Sequence, residues 1–318
     1  MHKMKLAVIG QSLLIIVLLC AVVGLLIRLH NAAIPKQIED TALITEVQVM
    51  PTEVIYETTG EKIFLQEGGY GQIWLPVLAN VPKCSHDLEK LVKRNGRMYY
   101  VEDHHITSAV GVDVSSHQKE IDWEKVKASG VEFAMIRCGF RGYGSGKLAV
   151  DTCFDQNLEG ALNAGLDVGI YFYSQAITPE EAEEEAEMTI RLIGDAPLTY
   201  PVVYDWETVS EDQARTDGIS VDTLTDCSVA FCRKIEAAGF TPMVYQNKRT
   251  ALLKLDLPRL TDYDFWLAEY GSEPTYYYDY RIWQYCSDGR VPGITGDVDL
   301  NICFAPYRNE PQETTGDE

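Results

Sequence analysis

The sequence predicts an α/β protein: an irregular (β/α) TIM-like barrel, preceded by a small mostly-β region and an N-terminal transmembrane helix. Three observations predict it. From Gly111 onward, apolar strand-like runs alternate with helical segments, the pattern of a parallel sheet. Between Leu43 and Ser108, short strand-like runs are punctuated by turn signals and carry little helix. From Leu6 to Ile27 the chain is almost wholly apolar, long enough at ~1.5 Å per residue to cross a hydrocarbon core of ~30 Å.

Taken in order, residues 1–30 are expected to be a membrane anchor. Lys3 and Lys5 favour a cytoplasmic N-terminus, and no A-x-A-like exit site interrupts the run before Arg28. The expected localisation is therefore the cell membrane, single-pass, with the rest of the chain extracytoplasmic and the membrane itself a partner. Residues 31–108 follow as a linker and a mostly-β region of open role. Its strands are expected at Leu43–Val49, Lys62–Gln66, Gln72–Val77 and Met98–Glu102, with helical character at His86–Arg94. His104 and His105 stand together without other spaced ligands, so they read as loop residues rather than metal ligands.

Residues 109–307 make the barrel, and 308–318 an acidic tail. Strands are expected at Gly111–Ser115, Phe133–Cys138, Val168–Ser174, Pro201–Trp206, Met243–Gln246, Asp264–Ala268, Tyr280–Tyr285 and Asp297–Ile302. The helices between them are Trp123–Ala128, Phe154–Ala164, Pro179–Ile193 and a long one from Val221 to Ala238. The last third has less helix, so the barrel should be irregular there. The acidic run from Glu180 to Glu187 reads as a solvated helix face, with Pro179 opening the helix and early acids favouring its dipole.

Composition narrows the partners. The formal net charge of −21 over 318 residues argues against nucleic acid, whose binders concentrate Lys and Arg. A neutral or locally cationic ligand stays compatible, because a cleft can differ from the molecular average. Outside the apolar run lie seven cysteines: Cys84, Cys138, Cys153, Cys227, Cys232, Cys286 and Cys303. An odd set cannot pair fully within one chain, and none has C-x-x-C zinc spacing. Most should be buried thiols, with room for one or two disulfides.

The chemistry sits at strand ends. Tyr200–Glu207 reads YPVVYDWE, an apolar strand ending in two acids. Residues i and i+2 of a strand share a side, which sets Asp205 and Glu207 together with Cα atoms ~7 Å apart. In a strand–helix barrel the C-terminal strand ends carry the active site. Two acids in low dielectric cannot both ionise freely, so one keeps a proton. Glycosidic cleavage needs that pairing: an acid for the leaving oxygen and a group that stabilises positive charge at the sugar carbon. Asp113 lies on the first barrel strand and Asp299 near the end of the chain's barrel, on the last, so barrel closure would bring both to the pair. Tyr171, Tyr173, Tyr245, Trp266 and Trp283 lie on strands where they suit a cleft that stacks on sugar rings.

At these residues the sequence resembles the family 25 glycoside hydrolases, the Chalaropsis-type lysozymes. The ordered elements are GVDVSSHQ (111–118), IDW (121–123), GIYFYS (169–174), YPVVYDWE, FWLAEY (265–270), RIWQY (281–285) and GDVDLN (296–301). The resemblance implies a muramidase that cuts the β-1,4 bond between N-acetylmuramic acid and N-acetylglucosamine in peptidoglycan glycan strands, with no cofactor or metal. Its motif positions make Glu207 the general acid and base, with Asp205 acting either as nucleophile or as support for an attacking substrate acetamido group. Asp113 and Asp299 would orient substrate, and His117 within GVDVSSHQ is a further substrate-binding position. The competing expectations are a barrel that binds peptidoglycan without cutting it and a barrel glycosidase acting on chitin-like chains.

Overall fold

A computed structural model describes residues 56–67, 71–209 and 213–307 of the chain. The first strands are β1 (Thr58–Glu67) and β2 (Gly71–Leu78), an antiparallel pair, and β3 (Leu91–Arg94), β4 (Arg97–Glu102) and β5 (His105–Ile106), an antiparallel three-stranded sheet. The helix expected over His86–Arg94 is reduced to a single 3-10 turn at Leu88–Lys90, followed at once by β3. Asn95-Gly96 supplies two positive-φ residues, and this tight hairpin turn draws the preceding residues into a strand. His104 and His105 lie exposed at the β4–β5 turn.

The remaining strands are β6 (Ala109–Val114), β7 (Phe133–Arg141), β8 (Leu148–Val150), β9 (Asp167–Ser174), β10 (Val202–Trp206), β11 (Pro242–Asn247), β12 (Asp264–Ala268), β13 (Ile282–Gly289) and β14 (Val298–Cys303). They form one nine-stranded sheet in the order β6-β14-β13-β12-β11-β10-β9-β7-β8, and β6 also pairs with β7. That extra pairing closes the barrel and leaves β8 as a flap on β7. The pairs from β6 to β13 around the barrel are parallel, whereas β14 runs antiparallel to both β13 and β6. Little helix separates β12, β13 and β14, which is why the last strand returns by a short connection and antiparallel.

Helices α1 (Trp123–Ala128), α2 (Phe154–Asn163), α3 (Pro179–Ile193), α4 (Val221–Ala237) and α5 (Lys248–Lys254) pack outside the sheet. Side chains of Asp122, Thr178, Ser220 and Asn247 accept N–H groups in the first turns of α1, α3, α4 and α5, satisfying donors that a helix start leaves orphaned.

Strand parity divides the apolar residues into two cores. Val112, Ile136, Ile170, Phe172, Tyr204, Trp206 and Trp283 point outward and meet Leu224, Phe231 and Ile235 of α4 and their neighbours. Phe133, Met135, Val203, Met243, Tyr245, Trp266 and Ile282 point inward and fill the barrel. Gly111 exists for that filling: a Cβ there would sit 2.2 Å from the Phe133 ring. Ile63, Val77, Leu78, Met98 and Tyr100 join the outer core. Tyr278 and Tyr285 hydroxyls accept the N–H groups of Leu78 and Met98, and the described residues all belong to one compact unit.

Two expectations are corrected. Among the described residues no helix is long and apolar enough to cross a membrane. The expected transmembrane helix is therefore not among the elements of the structure, and the membrane as partner and the single-pass localisation that rested on it are not carried forward. The Leu6–Ile27 run on which they rested, like the Leu43–Val49 strand and the 308–318 tail, lies outside the described residues. The acidic run of α3 is not simply a solvated face either. Glu185 is fully buried and its Oε1 accepts from Arg141 Nε at 2.7 Å, while Glu181 accepts from Arg215 at 2.6 Å. Positions 181 and 185 lie one helical turn apart on the side of α3 that meets the sheet. The seven cysteines named above are free thiols; Cys138, Cys227, Cys232 and Cys303 are buried.

Candidate active site

The barrel interior changes from apolar to polar along its axis. Near one end, Phe133 stacks on Tyr200 at 4.5 Å and Tyr200 meets Tyr307 edge-on. At the other, where the parallel strands finish, the side chains turn polar around a cavity of about 610 Å³, a volume suited to a few sugar-sized groups.

Register places the acids there. Asp205 on β10 is level with Tyr173 of β9 and Tyr245 of β11. Asp299 of β14 is the direct cross-strand partner of Asp113 on β6; because β14 is antiparallel, the start of β14 arrives at the end of β6. Asp113, Asp205, Glu207 and Asp299 all line the cavity. So do Tyr171, Tyr173, Tyr245, Trp266 and His117 among the aromatic residues singled out from sequence.

Trp283 does not. It is fully buried in the outer core and donates its indole N–H to the Glu269 carbonyl at 2.8 Å. Ile282 points inward, so its neighbour must point outward. The same parity directs Gln284 into the cavity, and Gln284 is one of the residues that sequence reasoning missed.

Asp113 is the focus of a directional hydrogen-bond array. Its Oδ2 accepts from Gln284 Nε2 at 2.9 Å and Asn301 Nδ2 at 2.7 Å. Behind these, the Tyr245 and Tyr270 hydroxyls donate to Gln284 Oε1, and the Trp266 indole donates to Asn301 Oδ1. Asp113 also shares a hydrogen bond with Asp299. Burial raises Asp113, while these three side-chain bonds work in the opposite direction. Asp299, next to it, is pushed up to about 8 by burial and by the Asp113 charge. At neutral pH Asp299 is thus the member that carries the proton and donates to Asp113.

Asp205 and Glu207 differ in depth. Asp205 is 5% exposed, and its Oδ1 has no hydrogen-bond partner in the protein. Burial, then the Glu207 and Asp113 charges, raise it well above an ordinary carboxylate. Glu207 is partly exposed; burial raises it too, with a hydrogen bond to Tyr245 acting against. Both members of the pair are therefore raised, and the proton they share is drawn toward the deeper Asp205.

Arg137 is a second residue missed from sequence. It lines the cavity, and its charge lowers both Asp205 and Glu207. It is committed elsewhere, however: Nε and Nη2 reach Asp151 Oδ2 at 2.9 and 2.8 Å, and Nη2 donates to Ser116 Oγ at 3.2 Å. Asp151 also accepts the backbone N–H groups of Ser116 and Cys153, fixing the Ser116–Gln118 turn that carries His117. An alternating inward position on a barrel strand was the available signal for Arg137, as for Gln284.

Comparison with known proteins gives a consistent result. Residues 112–294, more than half of the chain, match the model of the glycosyl hydrolases family 25. The chain is 32% identical over 193 residues to the autolytic lysozyme of Clostridium acetobutylicum, a match covering 60% of this chain and 54% of that protein. It is 28% identical over 211 residues to lysozyme M1 of Streptomyces globisporus, covering 61% and 68%. The chain thus spans about half the length of the first of these relatives. The structure of the modular autolysin LytC from Streptococcus pneumoniae, in complex with a synthetic peptidoglycan ligand, superposes with a TM-score of 0.56 at 24% identity. That superposition covers 76% of this chain and 57% of LytC, and shows a shared fold.

Proposed function

The chain belongs to the glycosyl hydrolases family 25, and from that premise we propose that it is a peptidoglycan hydrolase, a muramidase cutting the β-1,4 bond between N-acetylmuramic acid and N-acetylglucosamine. The observation that carries the proposal is the gathering of four carboxyl groups at the barrel mouth, where Arg137, which lowers both Asp205 and Glu207, is already tied to Asp151. Burial so poorly offset by positive charge raises these acids above ordinary carboxylates, the shift that general acid catalysis requires. Tyr171, Tyr173 and Tyr270, which line the cavity and keep exposed surface, supply ring faces for sugars, while the buried Trp266 supports them from below.

In the proposed reaction Glu207 protonates the leaving glycosidic oxygen as the C1–O bond breaks. The acetamido carbonyl oxygen of the same sugar attacks C1, and Asp205 accepts the acetamido N–H. This gives the unpartnered Asp205 Oδ1 a role. In the free site burial draws the shared proton to Asp205; an N–H donor arriving from substrate favours the ionised form and leaves the proton for Glu207. Glu207 then takes a proton from water, whose oxygen attacks C1 as the bond between C1 and the acetamido oxygen breaks, restoring the acetamido group. Asp113 and Asp299 hold substrate in place.

The test is to incubate the full chain with purified peptidoglycan and identify the new reducing end by mass analysis. Muramic acid at that end supports the proposal. Reducing-end glucosamine points to a different glycosidase, and absence of cleavage to a binding barrel; either result overturns it. Asp205→Asn should cripple turnover. Equal activity on N-deacetylated glycan would exclude attack by the acetamido group and return Asp205 to the role of nucleophile.

A further inference from the structure

Away from the barrel mouth, the chain before β3 crosses the barrel's connecting segment 276–280. Lys83 and Tyr278 form an antiparallel bridge, the Cys84 N–H donates to the Tyr277 carbonyl at 3.0 Å, and the Asp279 N–H donates to the Pro82 carbonyl at 2.9 Å. Asp279 is two residues beyond Tyr277, so it falls on the same side of this crossing as Cys84. The chain then bends, and a ring nitrogen of His86 meets the Tyr280 carbonyl at 2.8 Å. As a result the potential ligand atoms of Cys84, His86 and Asp279 all lie within 4.8 Å of one another.

We propose that Cys84, His86 and Asp279 form a divalent metal site of the zinc class, completed by water, that fastens the 56–108 region to the barrel.

The donor set selects the metal. A thiolate, an imidazole and a carboxylate suit zinc, whereas calcium and magnesium prefer all-oxygen shells. A thiolate and a carboxylate also balance the charge of a dication. Tetrahedral zinc needs ligand atoms ~3.5 Å apart, so the cluster has to contract by ~1 Å. Asp279 is exposed, which gives the ion and its water a path of entry.

The surroundings have the form of an outer shell. The hydrogen bond from His86 to the Tyr280 carbonyl sets the ring's tautomer and leaves the other nitrogen as an acceptor, the usual arrangement for a metal-binding histidine. The ring is clamped by stacking on Phe304 at 3.9 Å and edge contacts with Tyr280 and Tyr100. The Tyr280 hydroxyl reaches the Cys84 sulfur, where it is placed to support a thiolate. Binding displaces the thiol proton to solvent and breaks no other bond. Because two ligands precede the barrel and one belongs to it, the ion would tie the two together.

The experiment uses the full chain, stripped with chelator and titrated with cobalt(II) and zinc. The expected result is one zinc bound per chain, a cobalt–thiolate charge-transfer band in the near ultraviolet that zinc displaces, and a higher melting temperature with metal. Cys84→Ser should remove the band, and His86→Ala and Asp279→Asn should each weaken metal affinity at least ~10-fold. Peptidoglycan cleavage by metal-free and metal-loaded protein should be alike. No band, or a band that Cys84→Ser leaves at full strength, overturns the site, because the other thiols would then be its source. If Cys84→Ser does not fold, Asp279→Asn decides: undiminished cobalt affinity there overturns the proposal, and a loss supports it.

Discussion

Two acidic clusters sit on opposite sides of the same sheet, and both involve an arginine of β7. Inside the barrel mouth, Arg137 is shared among Asp151 and Ser116 while four carboxyl groups line the cavity. Outside, under α3, Arg141 is 4% exposed and is consumed by acids: it donates to Glu185 at 2.7 Å, to Glu184 at 3.2 Å and to the Glu181 carbonyl at 2.8 Å. A β-bulge separates the two arginines. Arg137 is level with Tyr171 but Gly139 with Phe172, a register shift of one residue. Cys138 and Gly139 consequently both face outward, and Arg141 follows them to the helices. The difference shows how a fold sorts carboxylates into structure and chemistry. Burial acts against charge in both places. Under α3, burial pushes Glu185 up to about 7 with Arg141 pulling down, and Glu181 ends below its ordinary value because burial is outweighed by Arg215, the Ile177 N–H and Arg141. At the mouth burial prevails for all four acids.

The strongest test of this contrast is a pair of substitutions with opposite readouts. Glu207→Gln should reduce peptidoglycan cleavage by ~10²–10⁴-fold, the usual worth of a general acid, with an unchanged thermal melt. Arg141→Met should do the reverse. Removing one partner of a buried ion cluster costs ~3–5 kcal/mol, so denaturant unfolding should show a large loss, while turnover measured where the variant remains folded should be close to wild type. A catalytic defect in Arg141→Met at full stability would end the distinction.

Arg137 allows a finer test. Its charge lowers Asp205 and Glu207, so removing it raises both. Deprotonation of the acid then occurs at higher pH, and the alkaline limb of the kcat/KM profile of Arg137→Met should move upward. A loss of activity without that movement would make Arg137 only a brace for the Ser116–Gln118 turn.

Much of this was legible from the chain. Helix–strand alternation located each barrel strand to within a few residues, and the spacing of Asp205 and Glu207 placed both on one face. Asp113 and Asp299 could be joined by supposing closure, which the β6–β7 and β6–β14 pairings provide. What failed depended on parity or partners. Trp283 was selected for its ring, although inward Ile282 forces it outward. The Glu181–Glu185 pair was read as solvated because its partners are remote in sequence: Arg215 lies 34 residues from Glu181, and Arg141, 44 residues from Glu185, reaches it only through a bulge. Bulges leave no composition signal, and a buried ion pair needs both ends to be recognised.

The smallest effect belongs to Asp299, and its size is informative. Burial and the Asp113 charge push Asp299 up to about 8 from 3.8, so at neutral pH it acts as a neutral donor to Asp113. An asparagine at this position also donates, through its amide N–H, and carries no charge. Asp299→Asn should therefore retain activity within roughly 10-fold at pH 6, a change of under ~1.4 kcal/mol, whereas Asp299→Ala, which leaves Asp113 without that donor, should lose more. The stability sign follows from the raised folded pKa. The folded state holds this proton more tightly than the unfolded chain, so the contribution is complete below about 3.8 and is lost as pH rises to about 8. Asp299→Asn removes the titrating group, and its unfolding free energy should fall less steeply between those limits than that of the wild type. If Asp299→Asn were as inactive as Glu207→Gln, the group would be working as an anion, and the division of the four acids into proton holders and charge bearers would have to be redrawn.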